Sequence, residues 1–376
     1  ERLFSVKLAE PLPTGGAVQV VAVSDEGGRQ TVQALPSQSE PTAVEGLRRV
    51  WWIAPADRKS SPRPDAFRPE RFRLERCEPS AEAKARSSEA VEAELRSRLA
   101  AGRVPLRIER TSDALVVRRG ESRIVFEGRE PNFWDLLGGK GRVRFEAFQG
   151  SVDGPVFAEF RVDHLHVDLS SGEERPALRE TWAVRVWNIG GPADGFWVWD
   201  IVSTIRCASA SPLKLPQYHY GGMAIRGGRS WTKDAVRFLT SEKLGRENGN
   251  HSRPRWCDMS GPASTAADGA APTITDHAGN TADTVGPAES GSATARTKTP
   301  DSGRVGIALL THPGNFRFPE PLRIHPSMPY MVYTPSQLGD WAIEPEQTRT
   351  SRYRWLVHDG TLPPAVIDRA WQAFAR

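Results

Sequence analysis

The chain has 376 residues, 38% hydrophobic and 26% charged, which supplies enough apolar side chains for a packed core and excludes global disorder. Lys and Arg number 50 against 46 Asp and Glu, and the +4 balance is spread without a dense basic block, so nucleic acid is not an expected partner. No apolar run approaches the roughly 18–20 residues that a membrane-crossing helix needs.

Residues 1–78 read as short strands broken by turns, the spacing of a small β-sandwich. Phe4–Leu8 alternates, Ala17–Val23 is β-branched, Arg49–Ile53 carries the run Val50-Trp51-Trp52-Ile53, and a last strand falls near Phe72–Arg76. Residues 79–102 change character. Ser80 offers an N-cap, Gly102 a stop, and Val91, Leu95 and Leu99 form a thin apolar stripe, which predicts a helical linker lying on the surface.

From 103 to 376 the period-two signal returns in long segments, among them Val143–Phe148, Val156–Leu169, Arg179–Trp187, Phe196–Ser203, Gly306–Thr311 and Tyr353–His358. Their length suits a large twisted antiparallel sheet, closed by a helix over Pro364–Ala375. Residues 261–303 hold no aromatic side chain and are dominated by Ala, Thr, Gly, Ser, Pro and Asp, so they read as a flexible insertion between two strands. The fold expectation is all-β.

Four segments concentrate chemistry. Glu127–Asp135 crowds carboxylates, Arg129, Asn132 and Trp134 after a strand, an arrangement that perturbs proton affinities and also builds a plain salt-bridged turn. Tyr218–Arg229 sets His219 between two Tyr and before paired Gly, with Arg226 able to hold an anion; tight strand packing is the competing use of those glycines. Arg253–Gly261 places Asp258 beside Trp256, as a sugar subsite does, and Cys257 reads as an inert thiol. Thr311–Arg317 puts His312 and Asn315 at a strand end. His164 and His166 share a strand face, which suits cross-strand hydrogen bonding better than a metal pair without a third ligand. Cys77, Cys207 and Cys257 stand too far apart for a disulfide framework or a zinc knuckle, and no metal or cofactor is expected.

The segments Phe126–Trp134, Tyr220–Arg226, Arg255–Gly261, Gly306–Asn315 and Tyr353–Gly360 occur in an order and wording that resemble a bacterial family labelled methane oxygenase PmoA. That label names a membrane copper subunit. With no membrane span and no copper-site arrangement here, the resemblance implies a β-supersandwich, similar in kind to galactose mutarotase, in a carbohydrate-utilisation setting. The small sandwich over 1–78 looks like a module that some members carry in front. Members also carry a His-rich stretch ahead of Glu-Gly-Arg, whereas Val116–Val125 here runs directly into Phe126-Glu127.

The expectation is a secreted or periplasmic carbohydrate-active enzyme, of glycoside hydrolase or lyase type, whose ligand is a glycan or modified sugar; Glu1 in first place suits a removed leader as well as a trimmed start. His219 is the expected acid/base and Asp258 or Glu127 its carboxylate partner. Arg129, Asn132 and Arg226 are expected to clamp the ligand, Trp134 and Trp256 to stack on it, and His312 and Asn315 to assist. The alternative is a non-catalytic glycan-binding protein or an inactive homologue lacking the His-rich segment.

Overall fold

The structure, a computed structural model, describes residues 2–7, 17–26, 29–41, 48–54, 71–77, 80, 88–111, 114–127, 140–190, 196–228, 230–263 and 303–376. The fold is all-β with two α-helices among these residues. At the N-terminal end run β1 (Arg2–Lys7), β2 (Ala17–Glu26), β3 (Arg29–Leu35), β4 (Ser37–Pro41), β5 (Arg48–Ala54) and β6 (Arg71–Cys77). They form two three-stranded antiparallel sheets, β1-β5-β4 and β3-β2-β6, around Val20, Leu35, Val50 and Trp52. Helix α1 (Ser88–Ala100) lies against β2, β4 and β6. Its expected stripe of Val91, Leu95 and Leu99 is half-buried, as a thin surface helix requires. Ser80 does not cap it: its N–H and hydroxyl donate to the Glu94 carboxylate at 3.0 and 2.5 Å.

The main body continues with β7 (Arg107–Arg110), β8 (Ala114–Arg119), β9 (Ser122–Glu127), β10 (Gly141–Val152), β11 (Phe157–Asp168), β12 (Arg175–Trp187) and β13 (Trp197–Cys207). Then come β14 (Leu213–Leu215), β15 (Met223–Arg226), β16 (Arg237–Thr240), β17 (Trp256–Pro262), β18 (Arg304–Thr311), β19 (Leu322–Ile324), β20 (Tyr330–Tyr333), β21 (Trp341–Ile343), β22 (Thr348–Asp359) and α2 (Pro364–Phe374). Eight strands build one antiparallel sheet in the order β10-β11-β12-β13-β22-β18-β17-β16. The inserted residues depart from β17 and return on β18, which pair directly with each other.

Alternation assigns the two faces of this sheet. Phe160, Val162, Val184, Val186, Trp199, Ile201, Tyr353, Trp355, Leu309 and Met259 point to an inner face, packed against Val117 and Phe126 of the β7-β8-β9 sheet and against Met331 and Tyr333 of the β15-β20-β19 sheet. Phe157, Trp187, Val198, Leu356, Leu310 and Trp256 point to the outer face. There α2 seats Ile367, fully buried, with Ala370, Trp371 and Phe374, a helical i, i+3, i+4, i+7 stripe. Among the described residues no helix is long and apolar enough to cross a membrane.

The N-terminal sheets dock on the outer face. The buried Gln38 amide oxygen accepts N–H bonds from Val156 and Phe157 at 3.1 and 3.0 Å, and Ile53 joins the outer core. Arg185 of β12 sits between Glu40 of β4 and Glu159 of β11 at 2.6 and 2.5 Å, its guanidinium 4.1 Å from the Phe157 ring centre.

Candidate functional site

The residues expected to act together are distributed over four places. His219 is exposed, its ring 4.6 and 4.3 Å from those of Tyr218 and Tyr220, and Arg226 is exposed on β15 nearby. The paired glycines beside them serve packing: a Cβ on Gly222 would lie 1.8 Å from the Tyr333 carbonyl oxygen, so the close backbone approach is to β20. Arg129, Asn132 and Trp134 lie outside the described residues, as does the side chain of Glu127 at the end of β9.

Trp256 and Asp258 face the outer core. The Trp256 ring is 1% exposed and donates its N–H to Asp368 of α2 at 2.8 Å, so it has no free face for a sugar. Asp258 accepts from the buried His358, Nε2 to Oδ1 3.0 Å, while His358 Nδ1 meets the Gly360 carbonyl at 3.0 Å. Both ring nitrogens thus face oxygen acceptors, and the pair needs two protons to satisfy that geometry. Cys257, fully buried, has its thiol pushed well up by burial and by the neighbouring Asp258, the state of an inert thiol. His312 accepts the Gly314 N–H at 2.9 Å and lies edge-on to Phe374, 5.2 Å between centres; burial pulls its proton affinity down, and Arg352 adds to that.

Asn315 does reach a titratable cluster, on the inner face. Its amide donates to Glu320 and to the Arg352 carbonyl, both at 2.9 Å, and its oxygen accepts the Arg352 N–H at 2.7 Å. The Tyr353 hydroxyl donates to the other Glu320 oxygen at 2.7 Å. Burial raises the Glu320 carboxyl to about 7, against the opposing pull of those two hydrogen bonds. The hydroxyl of Tyr333, buried close enough to feel Glu320 and Tyr353, has no hydrogen-bond partner.

Further along the same face, β11 and β12 set His164 and His166 beside Glu180. His166 Nε2 lies 2.8 Å from Glu180 Oε2, and the Ser203 hydroxyl of β13 donates to Oε1 at 2.5 Å. This is the cross-strand bond expected of the histidine pair. Burial alone would raise the Glu180 carboxyl, but the hydrogen bond and charge of His166, with Ser203, carry it below the usual range. Trp182 also leans on this carboxylate, though its N–H makes no full hydrogen bond. His164 is held neutral chiefly by burial; its ring is 5.2 Å from Trp182 and its Nδ1 has no partner. Trp199 and Trp355 stack nearby on the same face, 6.1 Å between centres, and the Trp355 N–H is unpartnered.

An open cleft of about 290 Å³ lies on the outer side of the same strands, lined by Glu146, Asp163, Arg179, Thr181, Thr204, Arg206 and Thr348; His164 and Glu180 border it, but alternation turns their side chains to the inner face. Its lining residues are all polar or charged, and its volume sits at the low end of the ~300–1,000 Å³ of small-molecule sites. Glu146 pairs with Arg179 and Asp163 accepts from Gln149 and from Thr181, whereas Arg206 is exposed and makes no ion pair among the described residues. Among those residues no three His, Cys, Asp or Glu side chains gather as a metal set.

Neither Glu180 nor Glu320 was singled out by sequence reasoning. Glu180 carried a signal: it shares the parity of Trp182, Val184 and Val186, so it is a charge on the buried face of a strand. Glu320 sits between two prolines, with no periodicity to mark it.

Residues 124–372 match the sequence pattern of a family of unknown function, DUF6807. The chain belongs to this family. The DUF6807 span runs from β9 into α2, so it contains the whole eight-stranded sheet, the cleft, Glu180 and Glu320, and leaves the two N-terminal sheets outside. No curated protein and no solved structure matched the chain.

Proposed function

We propose that this protein is a secreted carbohydrate-active enzyme that cleaves a glycan, and that its centre is the His164–His166–Glu180 cluster on the inner face rather than the His219–Asp258 set. The observation that carries this reading is one ionised carboxylate on the inner face, held by His166 and Ser203, with the neutral His164 and the Trp182 ring beside it. Glycan cleavage needs two groups with opposed proton roles. His164, neutral through burial, is the proton acceptor, and the His166–Glu180 pair is the proton source for the leaving oxygen. That set suits a lyase acting on uronic-acid residues, where the base removes the proton next to the carboxylate and the glycosidic oxygen departs. The resemblance to the PmoA-labelled family, in its carbohydrate setting, supports the same substrate class.

A second reading follows from the completeness of the His166–Glu180–Ser203 bonds, which a purely structural cross-strand lock would also show. Incubation with uronate-rich and neutral glycans separates the two, with unsaturated and reducing products assayed alongside Trp fluorescence. The enzyme reading expects product formation that falls about 10²–10⁴-fold in Glu180→Gln and His164→Ala. Fluorescence change without product in the wild type sinks it in favour of a glycan-binding protein. Full turnover in both variants moves the chemistry elsewhere.

A further inference from the structure

The geometry points to a second saccharide site, away from the Glu180 cluster, in which the outer surface of the β15-β20-β19 sheet grips an acidic glycan chain. Alternation turns Met223 and Ile225 of β15, and Met331 and Tyr333 of β20, inward to the core. Arg226, Tyr330 and Arg323 are left on the other side, with Arg226 paired to Tyr330 across the ladder; Arg226 is exposed there, Arg323 half-buried and Tyr330 buried. The preceding loop lays Tyr218, His219 and Tyr220 against this surface as a continuous aromatic strip. Neighbouring rings are 4.6 and 4.3 Å apart, and Tyr220 meets Tyr330 at 5.8 Å. Tyr218 is 42% exposed.

Two guanidinium groups lie at the Tyr220–Tyr330 end of the strip: Arg323 is 5.9 Å from the Tyr220 ring centre and Arg226 5.9 Å from that of Tyr330. His325 sits among them. Its Nδ1 accepts the N–H groups of Ser327 and Met328 at 3.2 and 3.0 Å, which puts the ring proton of the neutral form on Nε2 and makes that nitrogen a donor. Burial first, and then the charges of Arg323, Arg246 and Arg226, hold the proton affinity of His325 below its ordinary value. Arg246 is anchored on the carbonyls of His325 and Met328, and the acid that acts on it is Asp234.

The patch therefore combines guanidinium donors for carboxylate or sulfate with tilted ring faces for the C–H surface of sugars. This site stands whether or not the Glu180 cluster is catalytic, since it needs only binding.

Native gel electrophoresis in matrices containing polygalacturonate, dextran sulfate or neutral dextran tests it directly. The acidic matrices are expected to retard the wild type, and Arg226→Ala combined with Arg323→Ala to weaken that retardation about tenfold. His219→Ala, at an exposed position, is expected to weaken it several-fold while circular dichroism stays unchanged. Equal mobility in all three matrices overturns the proposal. So does unchanged retardation in the double variant, or tighter retention by single-stranded DNA than by either polysaccharide.

Discussion

In the folded chain Glu320 releases its proton at about 7 rather than near its ordinary 4.5, because a side chain 1% exposed has little water to stabilise its charge. The folded state therefore binds more protons than the unfolded chain between those two values. Stability is highest below pH 4.5 for this group, declines as pH rises through the window, and is lower by about 3 kcal/mol above it. Glu320→Gln keeps an oxygen for Asn315 or Tyr353 and cannot ionise. Urea midpoints measured from about pH 5 to about pH 8 should fall less steeply in the variant than in the wild type. Parallel profiles for the two proteins would show that Glu320 does not titrate in this range. Glu180 has the opposite character, since His166 and Ser203 outweigh the burial that acts on it. Two carboxylates on one sheet face are thus pushed in opposite directions, Glu320 by burial and Glu180 by its hydrogen-bond partners.

At the scale of elements, β18 shows why a glycine stands inside a strand. A Cβ on Gly306 would lie 2.3 Å from His358 Cε1 and 2.4 Å from Nε2, so the imidazole of β22 rests on bare backbone to reach Asp258 on β17. Gly306→Ala forces that buried ring away from its acceptor. The expected loss is about 1–3 kcal/mol from overpacking, with more if the pair is left unsatisfied. A chemical-denaturation midpoint equal to that of the wild type would mean that the ring finds another berth at no cost. Much of this level could be read in advance. The strand Arg179–Trp187 was legible because its even residues bury against the second layer while its odd residues face outward, and that asymmetry is written in period two. The exact stripe of α2 was less so: Ile367 is its buried residue, while the adjacent Val366 is half-buried. A helix face is set by what it lands on, here the outer core beside Leu310 and Leu356.

For the whole molecule, the joint between the N-terminal sheets and the large sheet rests on a few buried groups. Gln38 takes two backbone N–H groups that the edge of β11 would otherwise leave unpaired, and its oxygen occupies the space where a side chain on Gly154 would be. Gln38→Ala is expected to destabilise the protein by about 2 kcal/mol and to speed hydrogen exchange at the Val156 and Phe157 amides. Exchange at wild-type rates there would show that water replaces the amide without penalty. The Glu40–Arg185–Glu159 bridge, stacked on Phe157, ties the same joint electrostatically.

The all-β class, the long antiparallel strands, the thin surface helix and the return of the chain after the inserted segment were all determined by the sequence itself. Each depends on local rules: alternation, helix punctuation, and too few apolar residues to bury. Which polar residues meet was decided only by the tertiary structure. Trp256 and Asp258 looked like a sugar subsite in sequence, and pairing with His358 and α2 turned them into buried structure. His166, Glu180 and Ser203 lie on three different strands, and Asn315, Glu320 and Tyr353 are drawn together across two loops and a strand. Such meetings depend on strand order and register in the eight-stranded sheet, which place residues far apart in the chain a few ångströms from one another, and no local pattern encodes that order.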